Sequence, residues 1–175
     1  MQDGYKDVNL PEAPSLVVRA MGLDDYSTVR HVHASAIRSL ADRLIDPDEA
    51  AAAIKAIYSP SYVADLSSKT MLVAVLNGSI VGTCAWSPND DRGLNARIGA
   101  LFVAPLFQGQ SIGSQLVTHA ERNASDHGFH SWTAIVPVSI VTMFQDLGYT
   151  VASYGTSLDV VPLTSLQVAF LRKPA

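Results

Sequence analysis

Leu101-Phe-Val-Ala-Pro-Leu-Phe-Gln-Gly-Gln-Ser-Ile-Gly-Ser114 is the stretch on which the reading of this chain turns. An apolar strand runs into Pro105, a small polar turn follows over 108–113, and an amphipathic helix begins after it. In that order the turn sets a row of backbone N–H groups at a helix N-terminus. Partial positive charge collects there, and phosphate oxygens bind without a cationic side chain. The turn predicts a phosphate-bearing ligand, the alternative being a helix start that is merely well capped.

Upstream, the strand extends back to Leu94, with Leu94, Ala96, Ile98, Ala100 and Phe102 alternating onto one face. Residues 87–93 form a polar loop. Before it, 71–76 and 80–86 read as strands joined by Asn77-Gly78, the strongest two-residue hairpin signal. Two helices precede these strands. One is capped by Asp24 and repeats Val29, Val32, Ala36 and Leu40 at helical spacing; the other runs from Pro47 through an alanine run to Ile57. Residues 15–21 make a first short strand, and 1–14, with Pro11 and Pro14, an extended or disordered lead-in.

Downstream, the helix after the turn carries Ile112, Leu116, Val117 and Ala120 on one stripe and stops at Gly128. A strand over 132–136 leads to a short helix capped by Ser139, with Ile140, Met143, Phe144 and Leu147, closed by Gly148. Strands over 149–154 and 166–171 pair at the end, joined by a long connection over 155–165 that would wall a pocket or make a dimer contact. The order is β-α-α-β-β-β-α-β-α-β-β. It predicts a single α/β domain over 15–175, a central, mostly antiparallel mixed sheet of about seven strands flanked by about four helices.

Composition narrows the function classes. The chain has 175 residues, 48% hydrophobic and 16% charged, enough to bury a core without metals or disulfides. A net charge of −4 gives no reason to expect nucleic acid or an anionic membrane. Cys84 is the only cysteine, which fits a reducing compartment; inside an apolar strand it reads as packing, as do Phe129 and Trp132. The first residues lack the apolar core of a signal peptide, and no uncharged apolar run reaches the ~18 residues of a membrane span. A cytoplasmic protein is expected. His31, His119, His127 and His130 show no ligand spacing with an acid or with Cys84, so no metal is expected.

With these elements in place the chain resembles the GNAT N-acetyltransferases. The resemblance rests on the element order, the Asn-Gly hairpin, Leu101-x-Val103-x-Pro105 leading into Gln108-Gly-Gln-Ser-Ile-Gly113, and the later Asp146-Leu-Gly-Tyr149 with its closing strand. It covers residues 15–173. The family's phosphate motif is Gln or Arg, two variable residues, Gly, one residue, then Gly or Ala; Gln108 and Gly113 match, and Ser111 replaces the middle glycine. The resemblance implies acetyl-coenzyme A as cofactor. Its pyrophosphate would lie on Gln108, Gly109, Gln110, Ser111, Ile112, Gly113 and Ser114, and its pantetheine arm along Leu101, Phe102 and Val103, as a peptide adds to a sheet edge. Ser111 keeps its N–H and adds a hydroxyl, yet serine adopts a positive φ less cheaply than glycine.

The family's usual chemistry matches less well. Transfer to an amine needs a group, or water, to take the amine's proton, and an acid on the departing side. The family's glutamate position aligns with Arg97, which cannot act as a base near neutral pH, and its tyrosine acid with Phe144. Its asparagine aligns with Pro137. Two readings follow. One is direct transfer to a small-molecule amine, or secondarily to a protein N-terminus or lysine, with the proton coming from water, Tyr149 or Tyr154. The other is an acyl-coenzyme A-binding module with weak or no turnover. Strand alternation puts Arg97 on a face with Gly99, Leu101 and Val103, where it either meets a substrate carboxylate or is simply solvated. His33, off the apolar stripe of the first helix, is a base or relay, or an ordinary helix histidine. Asp90 and Asp91 either attract a cationic amine or form a charged turn. Homodimers are common in the family.

Overall fold

The computed structural model describes residues 15–41 and 43–175. The proposed lead-in over 1–14 lies outside the described residues. Seven strands form one sheet: β1 (Leu16–Ala20), β2 (Thr70–Leu76), β3 (Ser79–Pro88), β4 (Asn95–Val103), β5 (Ser131–Pro137), β6 (Thr150–Val161) and β7 (Thr164–Lys173). Their order across the sheet is β1-β2-β3-β4-β5-β7-β6. Every neighbouring pair is antiparallel except β4 and β5.

That parallel pair is also incomplete. Only Asn95–Ile98 of β4 is in register with Ser131–Ala134 of β5, and beyond Ile98 the two strands part. The parting opens a cleft through the middle of the sheet and leaves the β5-facing edge of β4 without a ladder partner.

The helices follow from local chemistry. The first, α1 (Tyr26–Leu40), is entered through a short 3₁₀ turn over Leu23–Asp25. Asp25, not Asp24, stands at its start, and its carboxylate accepts from the Gly22 N–H at 2.7 Å and from Arg19 at 2.6 Å. Next comes α2 (Pro47–Ile57), where the Asp46 side chain accepts from the Asp48 N–H at 2.8 Å and Pro47 takes the first position, whose N–H would be orphaned in any case. A third helix, α3 (Pro60–Ser67), was not expected from the sequence. It begins on Ser59-Pro60, a pair that reads equally well as a turn, and it buries only Leu66 fully. With α4 (Ile112–Asp126) and α5 (Val141–Asp146), the described residues hold five α-helices. Ser139 falls in a 3₁₀ turn over Val138–Ile140 that precedes α5, so it does not cap that helix.

The Asn77-Gly78 hairpin takes the expected form, with φ of 50° and 80° at its two central residues, as the right-handed strand twist requires. Elsewhere the strands run longer than the pattern suggested. β3 continues to Pro88, and β6 continues to Val161, so the supposed long connection over 155–165 is mostly strand, closed by Pro162 and Leu163.

β4 departs from strict alternation. Thr83 of β3 pairs with Phe102 while Ala85 pairs with Gly99, so Cys84 alone opposes both Ala100 and Leu101. This is a β-bulge, and Ala100 carries it with a φ of 46°. One extra residue reverses the alternation. Ala96 and Ile98 therefore share a cluster with Leu101 and Val103, packed against Leu116, Val117 and Ala120 of α4. Phe102 instead joins Val32, Ile37 and Ile57 of α1 and α2 on the other face, and Ala100 packs toward Val29 and Leu66. Of the five residues expected on one face, Leu94 lies exposed ahead of β4 and the other four divide between two faces, and Arg97 does not share a face with Leu101 and Val103. Cys84 is fully buried, as expected of a packing residue, and burial pushes its thiol up to about 12.

Candidate functional site

Between β4 and α4 a 3₁₀ turn over Pro105–Phe107 delivers the chain to the turn. Gly109 has a φ of 77°, and Ser111, at the N-cap of α4, has a φ of 59°. The serine thus adopts the left-handed conformation that suits glycine, at a cost of about 1 kcal/mol. Gly113 matters for a different reason: it lies close under α5, where a Cβ would come within 3.3 Å of the Met143 sulfur, tight enough that this side chain would have to shift. The Gln108 amide donates to the Val103 carbonyl at 3.1 Å and ties the turn back to β4. The first backbone N–H of α4 with a backbone acceptor is that of Gln115, bonded to Ser111 O at 3.1 Å. The N–H groups of residues 109–114 therefore stay free of backbone partners. No acidic side chain sits in the first turn of α4, so nothing cancels the positive end of the helix.

Where β4 and β5 part lies a cleft of about 590 Å³. On the α4 side its lining includes Val136, Pro137, Ile140 and Phe144. On the opposite side it is walled by Tyr62 and Asp65 of α3, by Lys69 just beyond that helix, and by Leu158, Asp159, Val160, Pro162 and Leu163 at the tip of the β6–β7 hairpin. Arg97, Gly99, Ala100 and Leu101 of β4 lie along it. The hairpin tip does wall a pocket, though as strand and not as loop.

Arg97 is exposed and held at one end. Its Nε donates to Asn89 Oδ1 at 3.1 Å, Asn89 donates to Asn95 at 2.9 Å, and Asn95 donates to Ser131 Oγ at 2.9 Å. Lys69, the other cation in the cleft wall, is paired with Asp65 at 2.6 Å.

His33 is fully buried and does not line the cleft. Its Nδ1 lies 2.7 Å from Tyr62 Oη and its Nε2 lies 2.8 Å from Thr83 Oγ1. The Thr83 hydroxyl in turn donates to the carbonyl of Ala100, at the bulge, at 2.9 Å. The Phe102 ring covers the imidazole at a centroid distance of 4.2 Å. Burial, helped by the positive charge of Lys69, lowers the histidine to about 3, so the ring is neutral at ordinary pH.

The tyrosines singled out in the sequence lie elsewhere. Tyr149 is 2% exposed behind Phe144, their rings 5.0 Å apart and edge to face. Its hydroxyl has no hydrogen-bond partner among the described residues, and burial followed by the charge of Glu121 pushes its ionisation far up. Tyr154 stands exposed on β6, the edge strand, away from the cleft. Asp90 closes its own loop by accepting from the Leu94 N–H at 3.0 Å, and neither it nor Asp91 lines the cleft. The cleft residues that sequence reasoning missed, Tyr62, Asp65 and Lys69, belong to α3 or directly follow it, the helix whose start looks like a turn.

A model of the Acetyltransferase (GNAT) family matches residues 37–142, more than half of the chain. No curated protein matches the chain significantly in sequence. Among solved structures, a GCN5-related N-acetyltransferase from Rhodopseudomonas palustris superposes with a TM-score of 0.76 at 20% identity, covering 98% of this chain and 100% of its own. The PaiA N-acetyltransferase of Thermoplasma acidophilum, solved in complex with coenzyme A, gives 0.75 at 16% identity over 92% of this chain and 99% of its own. YncA of Salmonella typhimurium, solved with its cofactor acetyl-CoA, gives 0.65 at 18% identity over 91% and 94%. At these identities the likeness speaks for the fold, while the family model speaks for descent; since its match runs across the bulge, the parting strands and the turn, the chain belongs to the GNAT family of acetyltransferases.

Proposed function

We propose that this chain moves an acetyl group from acetyl-coenzyme A to the amine of a small molecule, by direct transfer within the cleft. One observation carries the reading: the unladdered edge of β4 leads directly into a row of unbonded N–H groups at the start of α4. The N–H groups of Gly109, Gln110, Ser111, Ile112, Gly113 and Ser114 would hold the pyrophosphate, with Gln108 fixing the turn. Leu101, Phe102 and Val103 offer the edge for the pantetheine arm. Acetyl-coenzyme A, when bound, supplies a thioester activated toward an amine.

The chain's own residues contribute mainly position. His33, neutral and enclosed, holds no exchangeable proton for the cleft at neutral pH. Phe144 lines the cleft on the α4 side and has no proton to give, so water takes the proton that the amine loses and returns one to the departing thiolate. Holding two reactants in attack geometry alone supplies about 7–11 kcal/mol of such a barrier. The walls formed by α3 and the hairpin tip favour a small acceptor over a protein N-terminus or a lysine side chain.

Thiol release measured over a panel of amines and short peptides, together with direct titration of coenzyme A, tests this. Turnover of small amines with coenzyme A binding supports it. The absence of a phenol at Phe144 and of a base at Arg97 favours a second reading, an acyl-coenzyme A-binding module, which binding without turnover would establish. No binding would defeat both. No described helix is long and apolar enough to cross a membrane. A cytoplasmic location is our reading of the lone, buried Cys84. A homodimer, for which exposed Tyr154 and Leu158 on edge strand β6 offer a surface, is checked by sedimentation.

A further inference from the structure

We propose that the acceptor is an amine that also carries a carboxylate, a small amino acid or amino-carboxylate, with Tyr62 reading the nitrogen and Arg97 the carboxylate. The inference rests on the acetyl-transfer reading and narrows its substrate class.

The nitrogen end follows from counting hydrogens along a buried chain. Thr83 Oγ1 has a single hydrogen and gives it to the Ala100 carbonyl at 2.9 Å. Toward His33 Nε2, 2.8 Å away, Thr83 can then only accept, so Nε2 carries the imidazole's proton. A neutral imidazole has one N–H, which leaves Nδ1 bare. Tyr62 Oη, 2.7 Å from Nδ1, must therefore donate its hydrogen there. With that hydrogen committed, the Tyr62 oxygen keeps only lone pairs, and Tyr62 lines the cleft. It accepts from an N–H and has nothing to offer a carbonyl or a carboxylate.

The carboxylate end follows from what Arg97 leaves unused. Asn89 holds its Nε, and among the described residues neither Nη group makes a hydrogen bond or ion pair. A guanidinium fork fixed at the stem presents two parallel donors, the geometry that fits a carboxylate. Before the bulge, strand alternation puts Arg97 on the same face as Gly99. A Cβ built at Gly99 meets no heavy atom within 4 Å, so the floor between Arg97 and the bulge is open. Arg97 and Tyr62 line the same cleft, and Arg97 stands three residues of strand, about 10 Å, from Ala100, the residue to which Tyr62 is linked through His33 and Thr83.

Thiol-release kinetics of the full chain on α-amino acids, on their carboxamides and on the matching amines without a carboxylate decide the matter. The free acids should lead by about tenfold or more in kcat/KM. R97Q should erase that lead by raising KM for the acids far more than for the carboxamides, with coenzyme A affinity retained. Y62F removes the lone-pair acceptor and should slow acids and carboxamides alike, chiefly through kcat. Equal use of acids and carboxamides by the unmodified protein, or equal loss on both in R97Q, would overturn the inference and leave acetyl transfer standing. Coenzyme A binding with no amine turned over would remove both.

Discussion

The Thr83 hydroxyl donates to the carbonyl of Ala100 at 2.9 Å, and so pins the residue whose φ of 46° makes the bulge in β4. The bond does more than join two strands. It holds the strained peptide at the point where β4 leaves β5, and it gives the buried His33 ring the acceptor it needs. T83V keeps the shape of the side chain and removes the hydroxyl, leaving the His33 N–H and the Ala100 carbonyl without partners. A loss of about 1–3 kcal/mol in unfolding free energy is expected, with T83S recovering much of it. Urea titration of the two variants checks this; a loss equal in T83V and T83S would assign the effect to packing alone.

The same ring gives a pH signature. His33 is lowered from 6.5 to about 3 in the folded protein, so below 6.5 the unfolded chain binds a proton that the folded chain refuses. The associated stability is complete above 6.5 and is lost as pH falls toward about 3, with a limiting slope of about 1.4 kcal/mol per pH unit. H33Q should be less stable than the unmodified protein at pH 7 and should lack this part of the slope. Denaturation curves at pH 7 and pH 5 for both proteins would show the gap narrowing on acidification; parallel losses would contradict it.

Much of the frame could be read in the chain because its signals are local. Asn77-Gly78 needs positive φ at both positions, and Asp46-Pro47 is a start signal that needs no tertiary help. The stripe on α4 declared its buried face. The bulge gave no such sign, because Ala100 has a Cβ and nothing in its neighbours marks a left-handed residue; the partners across β3 and α1 impose it. His33 misled for a related reason. On its own helix it lies off the apolar stripe, and only Thr83 and Tyr62, distant in sequence, make its burial affordable. Ser111 was legible as a departure from glycine, but its adoption of a φ of 59° had to be seen.

Gly99 tests where the acceptor sits. Its φ is not positive, and a Cβ there meets open space, so a larger residue strains neither the backbone nor its neighbours. G99L should fold normally and bind coenzyme A as before. It should lose roughly ten- to a hundredfold in kcat/KM for the acceptor, as overpacking a filled site costs about 1–3 kcal/mol. If coenzyme A affinity falls in step with acceptor use, Gly99 faces the cofactor instead.

Phe144 decides whether the missing phenol matters. F144Y puts a hydroxyl on a side chain that is 1% exposed and lines the cleft, next to the Tyr149 ring at 5.0 Å. If that hydroxyl finds no partner, stability falls by about 1–3 kcal/mol, readable as a drop in Tm. On the catalytic side, general acid catalysis by a placed group is worth about 10²–10⁴-fold where proton delivery limits the rate. Direct transfer with protons from solvent predicts far less, a change in kcat under about tenfold with no new limb in the pH profile. A hundredfold rise with an alkaline limb would mean that the chain has lost an acid it still needs, and that its present turnover is held back at Phe144 more than by its hold on the donor.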